Sequence, residues 1–152
     1  MADLEAPLVA AAAPNGARRT EADHPALPLG PDELAREAAA CREAGATVPH
    51  LHVRDAAGRH SLDPELYRAA VAAVRREVGD GMVVQVTTEA VGVYAPGQQM
   101  ATVRALRPEA VSLALRELMP DASDVAVRRR SSCAGCGASG SRPTTSSTRP
   151  TR

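Results

Sequence analysis

The 152-residue sequence contains no Phe, no Trp and no Lys, only three Cys, and no long apolar run. Each absence excludes something. Without large aromatics, and with Ala making up much of the apolar content, a core buries less area per residue. The chain taken alone is therefore expected to be only marginally stable. Cys41, Cys133 and Cys136 are too few for a disulfide-built fold. No stretch approaches the ~20 apolar residues of a membrane span. Leu8 to Ala13 is too short for a secretory signal and lacks a basic segment before it. A soluble, cytoplasmic protein with no membrane partner is expected. The lack of Lys beside abundant Ala, Arg, Gly and Pro points to a GC-rich coding sequence.

The zero net charge hides an asymmetry. From Val125 onward there are six Arg and no acid, which leaves 12 basic against 18 acidic side chains in residues 1–124, a balance of −6. A basic Ser/Thr/Pro-rich tail on an acidic body commonly marks a disordered or nucleic-acid-binding appendage. This tail has Arg but neither aromatics nor a recognisable motif, so no nucleic-acid partner is expected. The chain divides into a body, 1–124, and a tail, 125–152, expected to be disordered.

Within the body, apolar runs alternate with helical patterns. Pro7 to Ala13 reads as a buried strand closed by the turn Pro14-Asn15-Gly16. Pro31 opens a helix through about Ala44, with Asp32 and Glu33 near its positive end, and Gly45 closes it. Ala46 to Val53 is a second strand. Asp63-Pro64-Glu65 starts a second helix and Gly79-Asp80-Gly81 ends it. Met82 to Thr88, Gln98 to Leu106 and Ala110 to Leu115 follow as strand, helix and strand. This β-α-β-α-β-α-β order implies a parallel sheet packed against helices. An open doubly wound sheet and a (β/α)8 barrel both fit. The first strand-to-helix turn lacks a glycine-rich phosphate signature, which weakens the dinucleotide-binding version. Asn15, His50, His52, Arg54, Thr87 and Thr88 gather at strand ends, where a barrel builds its active site. The barrel is favoured. Four strands are half of one, since a full barrel takes about 250 residues.

In the second strand, the period-2 alternation puts His50, His52 and Arg54 on one face and Leu51 and Val53 on the other. Same-face neighbours lie roughly 6.6 Å apart along a strand, close enough for two imidazoles to reach one ion. Imidazole suits Zn2+, and catalytic zinc takes three protein ligands and keeps a position open. The competing reading is a pair of buried neutral histidines bonded to backbone or to Asp55. Arg54 beside Asp55 reads as a structural ion pair, His24 and His60 as solvated loop residues, and Cys41 as a small apolar packing residue.

Asn15-Gly16-Ala17-Arg18, Pro25-Ala-Leu-Pro28, Pro31-Asp-Glu-Leu34, Glu43-Ala-Gly-Ala46 and His50-Leu-His-Val-Arg-Asp55 occur in that order. Gly58, Tyr67, Val84-Gln85-Val86-Thr87-Thr88 and Arg107-Pro-Glu-Ala110 complete the series. In order and spacing, from about residue 7 to 124, the chain resembles the β-keto acid cleavage enzymes, the 3-keto-5-aminohexanoate cleavage enzyme-like family. The resemblance implies a (β/α)8 TIM barrel, here about its first four β/α units, and a homo-oligomeric intact enzyme. It also implies a Zn2+-dependent reaction in which a β-keto acid and acetyl-CoA give acetoacetate and a new acyl-CoA. His50 and His52 match the two histidine metal ligands. Thr87 and Ser112 match substrate-binding hydroxyl positions. Arg18 matches a substrate-contacting position that is Glu where the substrate carries an amino group, so Arg there implies a neutral or acidic substrate. Glu89-Ala90 departs from a Gly pair. Thr87 and Thr88 have a plainer reading as backbone-satisfying residues at a strand end.

The resemblance places the third ligand, a Glu, and the catalytic Asp and Arg in a second half that nothing here matches. Glu117 and Asp121 receive no role from it, and no catalytic residue is identified in this chain. Cys133-x-x-Cys136 without a second Cys/His pair is a weak metal or redox signal. Back-translated with GC-favoured codons and read from the third base, Ser131 to Pro150 permits aromatic-containing segments like the family's next helix and strand. A frame shift near Val125 is therefore expected, leaving a truncated, inactive enzyme. The alternative is a non-catalytic half-barrel serving as a binding or oligomerisation module.

Overall fold

The computed structural model describes residues 8–119. The expected tail and its Cys133-x-x-Cys136 pair lie outside the described residues.

Helix α1, Pro31–Glu43, begins where its sequence favours a start. Pro31 fits the first turn, where no backbone donor is needed. The Glu33 carboxylate reaches back to accept from the Leu29 and Gly30 amides at 2.9 and 2.8 Å. Helix α2, Pro64–Val78, repeats the design with Asp63 as N-cap, its side chain accepting from Glu65 N at 2.8 Å. Leu34, Ala35 and Ala38 of α1 join Tyr67, Ala70, Ala73, Val74 and Val78 of α2 in one buried cluster. Alanines along both helices let them approach closely, and α1 packs against α2 more extensively than any other pair of elements. Helices α3, Pro96–Leu106, and α4, Leu115–Leu118, continue the row.

Four strands form the main sheet: β1 Ala11–Ala12, β2 Val48–Leu51, β5 Gln85–Thr87 and β6 Ala110–Ser112. All neighbours are parallel, in the order β1-β2-β5-β6, with Ala11 opposite Val48, His50 opposite Gln85 and Thr87 opposite Ser112. Chain order and sheet order therefore coincide. A doubly wound sheet reverses at a switch point. No reversal occurs among the described residues, and each helix packs on the next (α1 on α2, α2 on α3, α3 on α4), which keeps the row on one face. The winding is α/β with a parallel sheet and is compatible with part of a TIM barrel.

Alternation sorts the strands. Leu51, Val84 and Val86 enter the helix-side core, while His50, Gln85 and Thr87 occupy the opposite face. In the absence of Phe and Trp, Tyr67 is the largest fully buried side chain, and its hydroxyl donates to the Thr87 carbonyl at 2.9 Å. Burial holds its ionisation well above the usual phenol range.

The strands are shorter than the apolar runs suggest, and three short elements are additional: α4 and the strands β3, Val53–Arg54, and β4, His60–Ser61. The second run splits into β2 and β3, and β3 turns back antiparallel on β4. The Asp55 carboxylate accepts from the Ala57 and Arg59 amides, and Gly58 takes a positive φ of 72° at the tip. Leu8 and Val9, within the expected first strand, are exposed. No helix among the described residues is long and apolar enough to cross a membrane.

Candidate active site

The C-terminal ends of the parallel strands converge with the β3–β4 hairpin and the loop after β5. His50 lies in β2, and its Nδ1 is 2.6 Å from Gln85 Oε1 on the adjacent strand. An amide oxygen only accepts, so Nδ1 is the donor in this contact and Nε2 is the nitrogen left to face a ligand. His52 follows β2 and is buried; its carbonyl accepts from Asn15 Nδ2 at 2.9 Å. The two rings lie 5.0 Å apart between centroids, at 60°. Burial is the main cause that lowers the His52 pKa, to about 3, with smaller contributions from His50, His60 and Arg54. His52 is therefore neutral at physiological pH, the form that ligates metals. Glu89 Oε2 lies 3.9 Å from His52 Nδ1. With His52 neutral, this is not an ion pair, and it is too long for a hydrogen bond.

His60 corrects the sequence reading. Instead of standing solvated in a loop, it is buried in β4, 5.4 Å from the His52 ring, and its Nε2 contacts the Glu89 carbonyl at 2.9 Å. Burial lowers its pKa as well. The Tyr94 hydroxyl donates to the His60 carbonyl at 3.1 Å, tying the hairpin to the loop after β5.

Arg54 also departs from expectation. Its partner is not Asp55, which pairs with Arg59. The guanidinium instead reaches across to the loop after β1, donating to the carbonyls of Ala17 at 2.8 Å, Gly16 at 2.5 Å and Arg19 at 3.3 Å. This holds the loop that carries Arg18. Arg18 itself is exposed. The Thr87 hydroxyl is buried and accepts from Glu89 N at 3.2 Å, and Ser112 lies across the register from it on β6. The Thr88 hydroxyl is fully buried without a partner. Cys41 is half-buried on α1, and burial raises its thiol pKa, in keeping with a packing role.

The fold thus brings His50, His52, Thr87 and Ser112 to neighbouring strand ends and leaves Arg18 at the rim. Sequence reasoning missed Gln85, Glu89, His60 and Glu117. Glu117 Oε2 accepts from Ala90 N at 3.0 Å and braces the loop after β5. Alternation along β5 could have identified Gln85, since it shares a face with Thr87. The others meet only through long-range packing. Among the described residues, no group of three or more His, Cys, Asp or Glu is arranged to hold a metal ion. The donors that do fit are the two neutral-capable imidazoles, one oriented by Gln85 and the other buried with an orphaned Nδ1.

A one-way parallel sheet with imidazoles and hydroxyls at the C-terminal ends of its strands is the arrangement of an α/β enzyme. The chain belongs to the β-keto acid cleavage enzyme family, whose sequence profile matches residues 7–141. It is 39% identical over 85 residues to a 3-keto-5-aminohexanoate cleavage enzyme of Fusobacterium nucleatum, a match covering 56% of this chain and 31% of that protein. It is 32% identical over 108 residues to a 3-oxoadipate:acetyl-CoA acetyltransferase of Cupriavidus necator, covering 71% of this chain and 37% of that protein. A 3-keto-5-aminohexanoate cleavage enzyme of Acetoanaerobium sticklandii is 33% identical over 106 residues, 70% of this chain and 38% of that protein. The matched stretch thus spans well under half the length of these relatives.

Proposed function

We propose that this chain forms the N-terminal part of a zinc-dependent (β/α)8 barrel that exchanges acyl groups between a β-keto acid and acetyl-CoA. The bond between the keto carbon and the carboxymethyl group breaks. The acyl group passes to CoA, and the carboxymethyl group leaves joined to the acetyl group as acetoacetate. The observation that carries this reading is the imidazole pair at the strand ends, with His50 oriented by Gln85 and His52 kept neutral by burial.

Zn2+ at His50 and His52 would supply Lewis acidity that stabilises enolate charge on the keto oxygen. The chain's own residues bind and orient. Gln85 fixes the His50 tautomer. Thr87 and Ser112 offer hydroxyls on adjacent strands to substrate oxygens. Arg18, exposed at the rim, pairs with a distal carboxylate, which favours a dicarboxylic β-keto acid over an amino-substituted one. The C. necator relative, by its name, acts on 3-oxoadipate, a substrate of that class.

Two imidazoles do not complete a catalytic zinc site. The 152-residue chain is expected to bind zinc weakly and to release no acetoacetate from acetyl-CoA and a β-keto acid panel. His50→Ala and His52→Ala each remove the remaining zinc. Turnover by this chain overturns the incomplete site, and zinc retained after both substitutions overturns the ligand assignment. Sequencing the DNA past the codon for Val125 tests whether residues 125–152 are read out of frame.

A further inference from the structure

His52 Nδ1 is buried and has no hydrogen-bond partner. A buried polar atom left unpaired is destabilising, so an acceptor within reach matters. Glu89 provides one, with its carboxylate oxygen 3.9 Å away on a side chain that is 38% exposed. The backbone beneath that side chain is held in place. Glu89 N donates to Thr87 Oγ1 at 3.2 Å, its carbonyl contacts His60 Nε2 at 2.9 Å, and the next amide, Ala90 N, donates to Glu117 Oε2 at 3.0 Å. His52 is anchored too, through its carbonyl and Asn15. With both backbones fixed, closing about 1 Å to a normal hydrogen-bond length needs only rotation of the Glu89 side chain.

We infer that Glu89 is a positioning residue that accepts the His52 Nδ1 proton, so that the ring presents Nε2 to the metal position beside His50. This rests on the reading of His50 and His52 as metal ligands. It gives the two imidazoles matched supports. An amide oxygen from β5 sets His50, and a carboxylate from the loop after β5 sets His52. A carboxylate on the far nitrogen fixes tautomer and ring orientation and makes the ligating nitrogen more basic. The same loop residue thereby links the hairpin, through His60, to the ligand pair.

The test uses the full 152-residue chain and two readouts. Long-range proton–nitrogen NMR correlations of the metal-free imidazoles report the tautomer. His52 is expected as the Nδ1–H form in the wild type and in Glu89→Gln, whose amide oxygen still accepts. Glu89→Ala is expected to shift it toward the Nε2–H form. Zinc titration is expected to show roughly 10- to 100-fold weaker binding for Glu89→Ala, with Glu89→Gln recovering most of the loss. The metal-free Glu89→Ala variant is expected to melt cooperatively, lower than the wild type by no more than the loss of one hydrogen bond, which separates positioning from misfolding. An unchanged tautomer in Glu89→Ala overturns the inference, as does Glu89→Gln behaving like Glu89→Ala. A tautomer that responds in a wild-type chain taking up no zinc upholds the Glu89–His52 contact and overturns the metal reading instead.

Discussion

Replacing Arg54 offers a quantitative test of how the site's loops are held. Two opposing effects meet at this side chain. Its guanidinium is largely buried, and burial lowers its pKa, so desolvation opposes keeping a charge there. Against that stand three hydrogen bonds to the carbonyls of Gly16, Ala17 and Arg19. Bonds to a charged donor contribute about 1.5–3 kcal/mol each, so the gross stabilisation is several kcal/mol. Part is recovered on release, because the residue 16–19 loop lies near solvent and its carbonyls can hydrate. Arg54→Met, which removes the charge and keeps much of the bulk, is expected to cost about 3 kcal/mol. Arg54→Lys retains the charge but loses the planar fork that spans adjacent carbonyls, and is expected to cost about 2 kcal/mol. With a urea slope of about 2 kcal/mol/M, that moves the lysine variant's midpoint down by about 1 M. Urea titration followed by circular dichroism measures this, and limited proteolysis should show earlier cleavage in the loop after β1. An Arg54→Met variant as stable as the wild type would show that desolvation outweighs the hydrogen bonds and would refute the reasoning.

Glu33 should stabilise α1 in a pH-dependent way. The Gly30 amide, followed by that of Leu29, holds its carboxyl below the usual value of 4.5, so its contribution is present above that value and is lost as pH falls through the lower folded value. Because the carboxylate is exposed, Glu33→Gln is expected to cost only about 0.5–1 kcal/mol at pH 7. Paired urea titrations should show that difference closing at low pH, and an undiminished gap there would contradict the assignment. Gly58 isolates a backbone effect, since its φ is 72° and an added Cβ would meet nothing within 4 Å. Gly58→Ala is expected to cost about 1–2 kcal/mol by thermal melting, and no loss would mean that the hairpin carrying His60 turns differently.

Local signals made much of the scaffold legible. Pro31 with Glu33, and Asp63 with Pro64, mark helix starts that depend only on residues a turn apart, and both helices begin there. The alternation of His50, Leu51 and His52 showed which imidazoles could meet, and the motif series pointed to the family to which the chain belongs. Strand lengths were not legible, because an apolar run reports burial while a strand also needs a hydrogen-bonded neighbour. Leu8 and Val9 are apolar yet exposed.

The sequence by itself determined the three longer helices, their alternation with the four parallel strands and the residue types at the strand ends. Only the tertiary structure decided what those residues do to one another. Arg54 turned from its neighbour Asp55 to carbonyls 35–38 positions away. His60 left an apparent loop for a buried place beside His52, Gln85 became the partner of His50, and Glu89 came to lie 3.9 Å from His52. Burial made the difference. A polar group taken out of water must find a partner wherever packing brings one, and that partner need not be close in sequence.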